Sequence, residues 1–167
     1  DPKAAGGLTP QTNPILLQAD GHIVVGGGFT SVQPNGAATP TTRNRIARLN
    51  ANGTLDPAFN PNLNNVVFAL AQHIDGKILV AGGFTTFQTD GTTRNHIARL
   101  NVDGTPDSQF NPNADNRVLT LLVQRDGKIL MGGDFVTLQP LGSDSTIQCN
   151  HLARLNVDGT LDTDFKG

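Results

Sequence analysis

The sequence carries a single cysteine, Cys149, and neither tryptophan nor tyrosine. One thiol allows no internal disulfide, so the fold is built without covalent staples and cysteine usage leaves the compartment open. No run of Lys or Arg occurs and the net charge is −2, so the electrostatic footprint of a nucleic-acid binder or a polybasic membrane anchor is missing. Nucleic acid is therefore not an expected partner. No apolar stretch approaches the roughly 20 residues that span a bilayer, and no charged and apolar regions of a signal peptide open the chain. It reads as soluble, with no membrane span. It begins at Asp1 and not at Met, which suits a processed or excised segment. A surface rich in Thr and Asn and poor in Lys points to an extracellular or cell-surface location.

Turn-forming residues take the place of what is scarce. Gly (19) and Pro (10) together outnumber all Lys, Arg, Asp and Glu (12 and 14), which predicts many turns and short elements. The chain of 167 residues falls within the usual size of one domain.

Self-similarity organises these turns. Gly21 to Phe29 (GHIVVGGGF) recurs as Gly76 to Phe84 and Gly127 to Phe135, at spacings of 55 and 51 residues. The block Asn44 to Asn50 (NRIARLN) recurs as Asn95 to Asn101 and Asn150 to Asn156, each running on to an Asp: Asp56, Asp107 and Asp162. From Asp1, Asp56 and Asp107 to the next hairpin Gly the count is 20 residues each time. Only the step from Phe to the following Asn varies, at 15, 11 and 15 positions, and that stretch is the expected loop. The repeats are taken as 1–55, 56–106 and 107–161, with 162–167 opening a fourth repeat or forming a docking tail.

Each unit has the local chemistry of strands and hairpins. Asp75-Gly76 stands between the apolar runs Val67 to Ala71 and Ile78 to Ala81, and such a pair predicts a type I′ hairpin, which needs positive φ. Asp20-Gly21 and Asp126-Gly127 repeat it. A third strand, His96 to Leu100, ends at Asp103-Gly104, and a short fourth segment ends in Phe59, Phe110 or Phe165. Six of the eight phenylalanines thus occupy two repeated positions, Phe29, Phe84 and Phe135 at one and Phe59, Phe110 and Phe165 at the other, as expected when every unit packs on its neighbours through the same contacts. No segment has the apolar spacing of a helix, so the fold class is all-β.

The hairpin ending in Gly-Gly-Phe, the Arg-Asn-x-Ile-Ala-Arg-Leu-Asn block and the Asp-Gly-Thr-Leu-Asp-x-x-Phe close resemble the bacterial delta-sixty repeat, a β-propeller-type repeat of extracellular proteins. The resemblance covers nearly the whole chain, most strongly residues 43–135. It implies one antiparallel blade per repeat, and three blades imply an incomplete propeller completed by other copies or by a longer parent chain. It carries no catalytic residues with it. The chain departs from the pattern in its first unit, where Ala4 stands for the Phe, and in its third, where Cys149 replaces Arg43 and Arg94.

Searches for chemistry lead to structural positions. His22, His73, His96 and His151 have neither metal-ligand spacing nor the partners of a hydrolytic triad. His96 and His151 share one repeat position, which Arg45 occupies in the first unit, and read as surface strand residues. An enzyme is not expected. Asn101, Asp103 and Asp107 resemble part of a calcium loop, because hard cations want several oxygens on one tight turn; Asx turns closing a hairpin explain the same residues, and no other cofactor is suggested. Arg48, Arg99 and Arg154 read as partners of Asp56, Asp107 and Asp162 that tie adjacent strands, with contact to a ligand as the alternative. The Gly pairs at 27–28, 82–83 and 132–133 mark a bulge or a close approach of strands. Asn52-Gly53-Thr54 is a formal glycosylation sequon.

Function is left between two classes. The leading expectation is an extracellular structural protein whose chains self-associate into a ring or filament, through strand edges or through a tail in which Asp162 and Phe165 dock on the first unit of a neighbour. The alternative is an adhesin-like binding module that presents its variable loops to a glycan or protein.

Overall fold

The computed structural model describes residues 13–34 and 36–165; the segment Asp1 to Ala4 and the end of the tail lie outside them. Every regular element among these residues is a β-strand. The first blade holds β1 (Ile15–Leu17), β2 (Ile23–Gly26), a ribbon of β3 (Ser31–Val32) and β4 (Thr41–Thr42), and β5 (Ile46–Leu49). The second holds β6 (Val67–Gln72), β7 (Ile78–Gly82) and β8 (Ile97–Leu100). The third holds β9 (Val118–Val123), β10 (Ile129–Gly133), the ribbon β11 (Thr137–Leu138) and β12 (Ile147–Gln148), and β13 (Leu152–Leu155). Each blade is an antiparallel sheet with the middle strand of the repeat at its centre: β1-β2-β5, β6-β7-β8 and β9-β10-β13. Single bridges Leu49–Leu55, Leu100–Pro106 and Leu155–Leu161 attach the fourth segment to the outer edge. The chain then crosses to the inner strand of the next blade, and β1, β6 and β9 follow one another side by side.

The hairpin turns differ from the expected type I′. The Gln18 amide donates to the His22 carbonyl at 2.8 Å and the Gly21 amide to the Gln18 carbonyl at 3.0 Å, and the second and third hairpins repeat both bonds. Gly21, Gly76 and Gly127 have φ of +86°, +84° and +82°, whereas Asp20, Asp75 and Asp126 are not left-handed. This is a type I turn followed by a left-handed Gly bulge. The aspartates keep ordinary backbone because their Oδ1 atoms accept from the amide two residues on, in His22, Lys77 and Lys128.

Side-chain alternation makes the middle sheet apolar on both faces. Ile78 and Val80, with Ala98 and Leu100 opposite, face blade 1 in a core with Val24, Ile46, Phe59 and Phe84. Leu79 and Ala81, with Ile97, face blade 3 in a core with Phe110, Ile129, Met131 and Phe135. All five β7 residues are buried. Phe29, Phe84 and Phe135 are buried alike. One glycine of each later Gly-Gly pair, six residues after the hairpin Gly, answers a close approach: a Cβ on Gly82 would stand 2.1 Å from the Val66 carbonyl oxygen, and one on Gly133 2.2 Å from that of Arg117. The ladder slips its register beside both glycines.

The varying loop is a short ribbon. Where it is longest it forms β3–β4 and β11–β12; in the shorter second copy it keeps one bridge, Thr86–Thr93. The connection from the preceding blade pins it, since Asn64 Oδ1 accepts from the amides of Thr85 and Thr86, and Asp115 Oδ1 from those of Val136 and Thr137.

Two outcomes follow from this packing. Phe84→Ala, which empties a buried site, is expected to cost about 3–5 kcal/mol in urea denaturation, whereas Thr93→Ala on the exposed loop stays within about 0.5 kcal/mol. Gly82→Ala is expected to lower the melting temperature well below that of Gly83→Ala, whose added Cβ would meet only Asn65 and Val66 side chains at 3.4–3.5 Å.

Candidate functional site

The residues that recur most strictly converge on one arrangement. The third strand of each blade turns its Arg toward the next blade, and the backbone bridge beyond it brings back the Asp: the amides of Asp56, Asp107 and Asp162 donate to the carbonyls of Arg48, Arg99 and Arg154 at 2.8–2.9 Å. The Nε atoms of the arginines donate to the Oδ2 atoms of the same aspartates at 2.8, 2.8 and 2.7 Å. In the second and third blades Lys77 and Lys128 add a bond to the same oxygen at 2.7 Å; His22 holds that position in the first. Oδ1 accepts from the amide two residues on, in Ala58, Gln109 and Asp164. Each guanidinium also lies over the Phe of the fourth segment, 4.4 Å from Phe59, 4.7 Å from Phe110 and 4.8 Å from Phe165, a cation–π geometry.

These charges are held in their ionised forms. Burial alone would raise the Asp107 carboxyl, but the bonds from Lys77, the Gln109 amide and Arg99 outweigh it and lower the group to about 2. Asp162 is lowered to about 2, first by Lys128 and then by Arg154. Asp56 is lowered as well, its burial outweighed by Arg48 and the Ala58 amide.

The same arginines join the blades. Arg48 Nη1 donates to the Val102 carbonyl and Arg99 Nη1 to the Val157 carbonyl, both at 2.6 Å. Each carbonyl lies in the turn after the third strand of the following blade, and the glycine of that turn seats the Phe. A Cβ on Gly104 would stand 3.0 Å from the Phe59 ring, and one on Gly159 2.8 Å from the Phe110 ring. The junction of blades 1 and 2 is thus repeated between 2 and 3.

Among the described residues the two halves of this junction stand uncovered on the outer faces of blades 3 and 1. On blade 3, Leu122 occupies the position of the half-buried Leu16 and Ala71, and Leu152 that of the fully buried Ile46 and Ile97, yet the two are 60% and 44% exposed. The Arg154 side chain is 23% exposed, against 8% for Arg48 and Arg99. A concavity of about 370 Å³ lies there, lined among others by Cys149, Leu152, Arg154, Leu161, Asp162 and Phe165. On blade 1, Ile15 and Leu17 are 70% and 68% exposed on the opposite face.

Other candidates are placed differently. Asp103 Oδ1 accepts from the amide and hydroxyl of Thr105, the Asn101 side-chain amide donates to the Thr105 hydroxyl, and Asp107 faces its cations. Among the described residues no group of three or more His, Cys, Asp or Glu side chains is arranged to hold a metal ion. His96 and His151 are not strand residues: with Arg45 they share a left-handed backbone, φ +66°, +74° and +69°, just before the third strand. The amide of each reaches the carbonyl of the repeated Phe, which orders the turn. His73, whose side chain is fully buried, places Nδ1 2.8 Å from Asp75 Oδ1. Asp162 and Phe165, expected to dock on a neighbour, are held by Arg154 of their own blade, and Asp1 to Ala4, the expected acceptor, lie outside the described residues. Sequence reasoning missed the carbonyl acceptors of Val102 and Val157, because a backbone oxygen leaves no mark in residue identity.

Comparison with known families agrees with this architecture. The family model described as a domain of unknown function (DUF5122) beta-propeller matches residues 18–59, 75–110 and 124–165, each stretch ending on or beside the fourth-segment Phe. No curated protein matches the chain.

The ion pairs set a pH dependence. A carboxyl lowered in the folded state contributes stability that is fully present above its unfolded value near 4 and is lost as pH falls toward 2. Denaturation midpoints are therefore expected to fall steeply between pH 4 and pH 2. Asp107→Asn is expected to cost about 2–3 kcal/mol at pH 7 and to flatten that acid limb; an unchanged limb would show that other groups control it.

Proposed function

Because the chain belongs to the β-propeller family of domains of unknown function, we propose that it is a non-enzymatic assembly module of the cell exterior whose open blade faces bind further copies of the chain. The observation that carries this reading is the repetition of one junction: two copies are formed between the described blades, and among the described residues an unpaired half stands on the outer faces of blades 1 and 3. Sheet faces bearing exposed Leu and Ile favour association, and closed propellers usually hold about 4–8 blades against the three described. The likeness to the delta-sixty repeat of extracellular proteins supports the exterior location. Ring and filament are the two products such contacts allow.

A second reading rests on the ribbon loops, whose length differs between blades while the strand positions repeat. That pattern suits recognition of a glycan or protein at the loop tips.

Light scattering on the purified chain tests the first reading. The expected mass is an integer multiple of the chain mass that rises with concentration, and Leu122→Asp is expected to weaken association at least tenfold. A single-chain mass at every concentration would overturn it, and binding on a glycan array by that single chain would favour the second.

A further inference from the structure

The self-association proposed above, on which this inference rests, leaves open which face meets which. We infer that the contact runs head to tail: blade 3 of one copy receives blade 1 of a second, with Arg154 donating to the Ala51 carbonyl and Phe165 lying on Gly53.

The assignment follows from equivalent positions. Asn50-Ala51-Asn52-Gly53 is the first-blade counterpart of Asn101-Val102-Asp103-Gly104 and Asn156-Val157-Asp158-Gly159. All three turns close in the same way, the Gly amide donating to the Asn carbonyl at 2.8, 2.9 and 3.0 Å, with Gly φ of +82°, +89° and +91°. Ala51 therefore presents its carbonyl as Val102 and Val157 present theirs to Arg48 and Arg99. Gly104 and Gly159 are buried under Phe59 and Phe110. Among the described residues Gly53 has no heavy atom within 4 Å of the place its Cβ would occupy, and it is only half-buried. No described residue fills there the space that a Phe fills at both internal junctions.

The complementary half has the opposite character. Arg154 keeps the bond to Asp162 and the contact with Phe165 that its counterparts make, and no carbonyl of a following blade stands before its Nη1 among the described residues. One face thus ends in a donor and the other in an acceptor. A contact of blade 3 with blade 3 would set Arg154 against Arg154, which like charge disfavours; a contact of blade 1 with blade 1 would set carbonyl against carbonyl. Head-to-tail docking reproduces a junction that the chain already makes twice.

The test uses full-length chains, each with one face blocked. Leu122→Asp blocks blade 3 and Ile15→Asp blocks blade 1; both residues are exposed, so thermal melts close to wild type are expected, and Leu152→Asp and Leu17→Asp form a second pair if either variant fails to fold. By light scattering, each variant alone is expected to be a single chain. Mixed in equal amounts they are expected to form a dimer with one chain of each, joined by the one intact junction. Self-association of either variant alone at wild-type strength shows like-with-like contact and overturns the inference while leaving self-assembly standing. A mixture that stays single-chain, with the wild type associated, overturns it in the same way; a wild type that is itself single-chain overturns both. Arg154→Met, in which Lys128 still neutralises Asp162, is expected to weaken wild-type association at least tenfold, and undiminished association would remove the Arg154 contact from the inference.

Discussion

The structure depends on an arginine that makes three different contacts at once. In Arg48 and Arg99 the Nε edge meets a carboxylate, the planar face covers a phenyl ring, and Nη1 reaches a carbonyl on the next blade. A guanidinium can do this because its donors lie in a fixed plane and its faces are weakly hydrated; a lysine would supply the charge without the geometry. Removing one partner would leave a buried charge, which costs more than the pair gains. The cluster therefore acts as a register pin between blades, while the apolar cores on either side supply the bulk of the burial.

Placing the pin on the third strand divides the labour within a repeat. The centre strand is buried on both faces in the middle blade and fills the cores. The third strand alternates core residues with the Arg. The fourth segment supplies Asp and Phe and contributes one ladder bridge. The loop between Phe and Asn meets the fourth segment through Arg43 and Arg94 at its end, and its length differs by four residues between blades while the junction repeats.

The same division explains the ends. A repeat protein whose units share one junction exposes half of it at each terminus unless the terminal units are altered. The third unit is altered at Cys149, which stands where Arg43 and Arg94 donate to the Pro57 and Asp107 carbonyls, and burial raises its thiol pKa. It retains Arg154, the counterpart of the Arg48 and Arg99 by which blades 1 and 2 hold a neighbour, and carries the apolar Leu122 and Leu152 on the same face.

Much of this was legible in residue order. The repeat, its 20-residue register, the hairpin positions, the all-β class and the pairing of each Arg with an Asp eight residues on are local patterns, and local patterns survive in sequence because strand periodicity and turn chemistry act over a few residues. The turn type was not legible: Asp-Gly suits type I′, but a longer loop with an Asx bond lets the Asp keep ordinary backbone. Nor was the left-handed backbone at Arg45, His96 and His151, residues whose identities do not ask for it. The sequence by itself determined what each blade is. Tertiary structure decided how blades meet, because the bonds from Arg48 to Val102 and from Arg99 to Val157 cross 54 and 58 residues, end on backbone oxygens, and rely on glycines whose reason appears only when a Phe from another blade is laid on them.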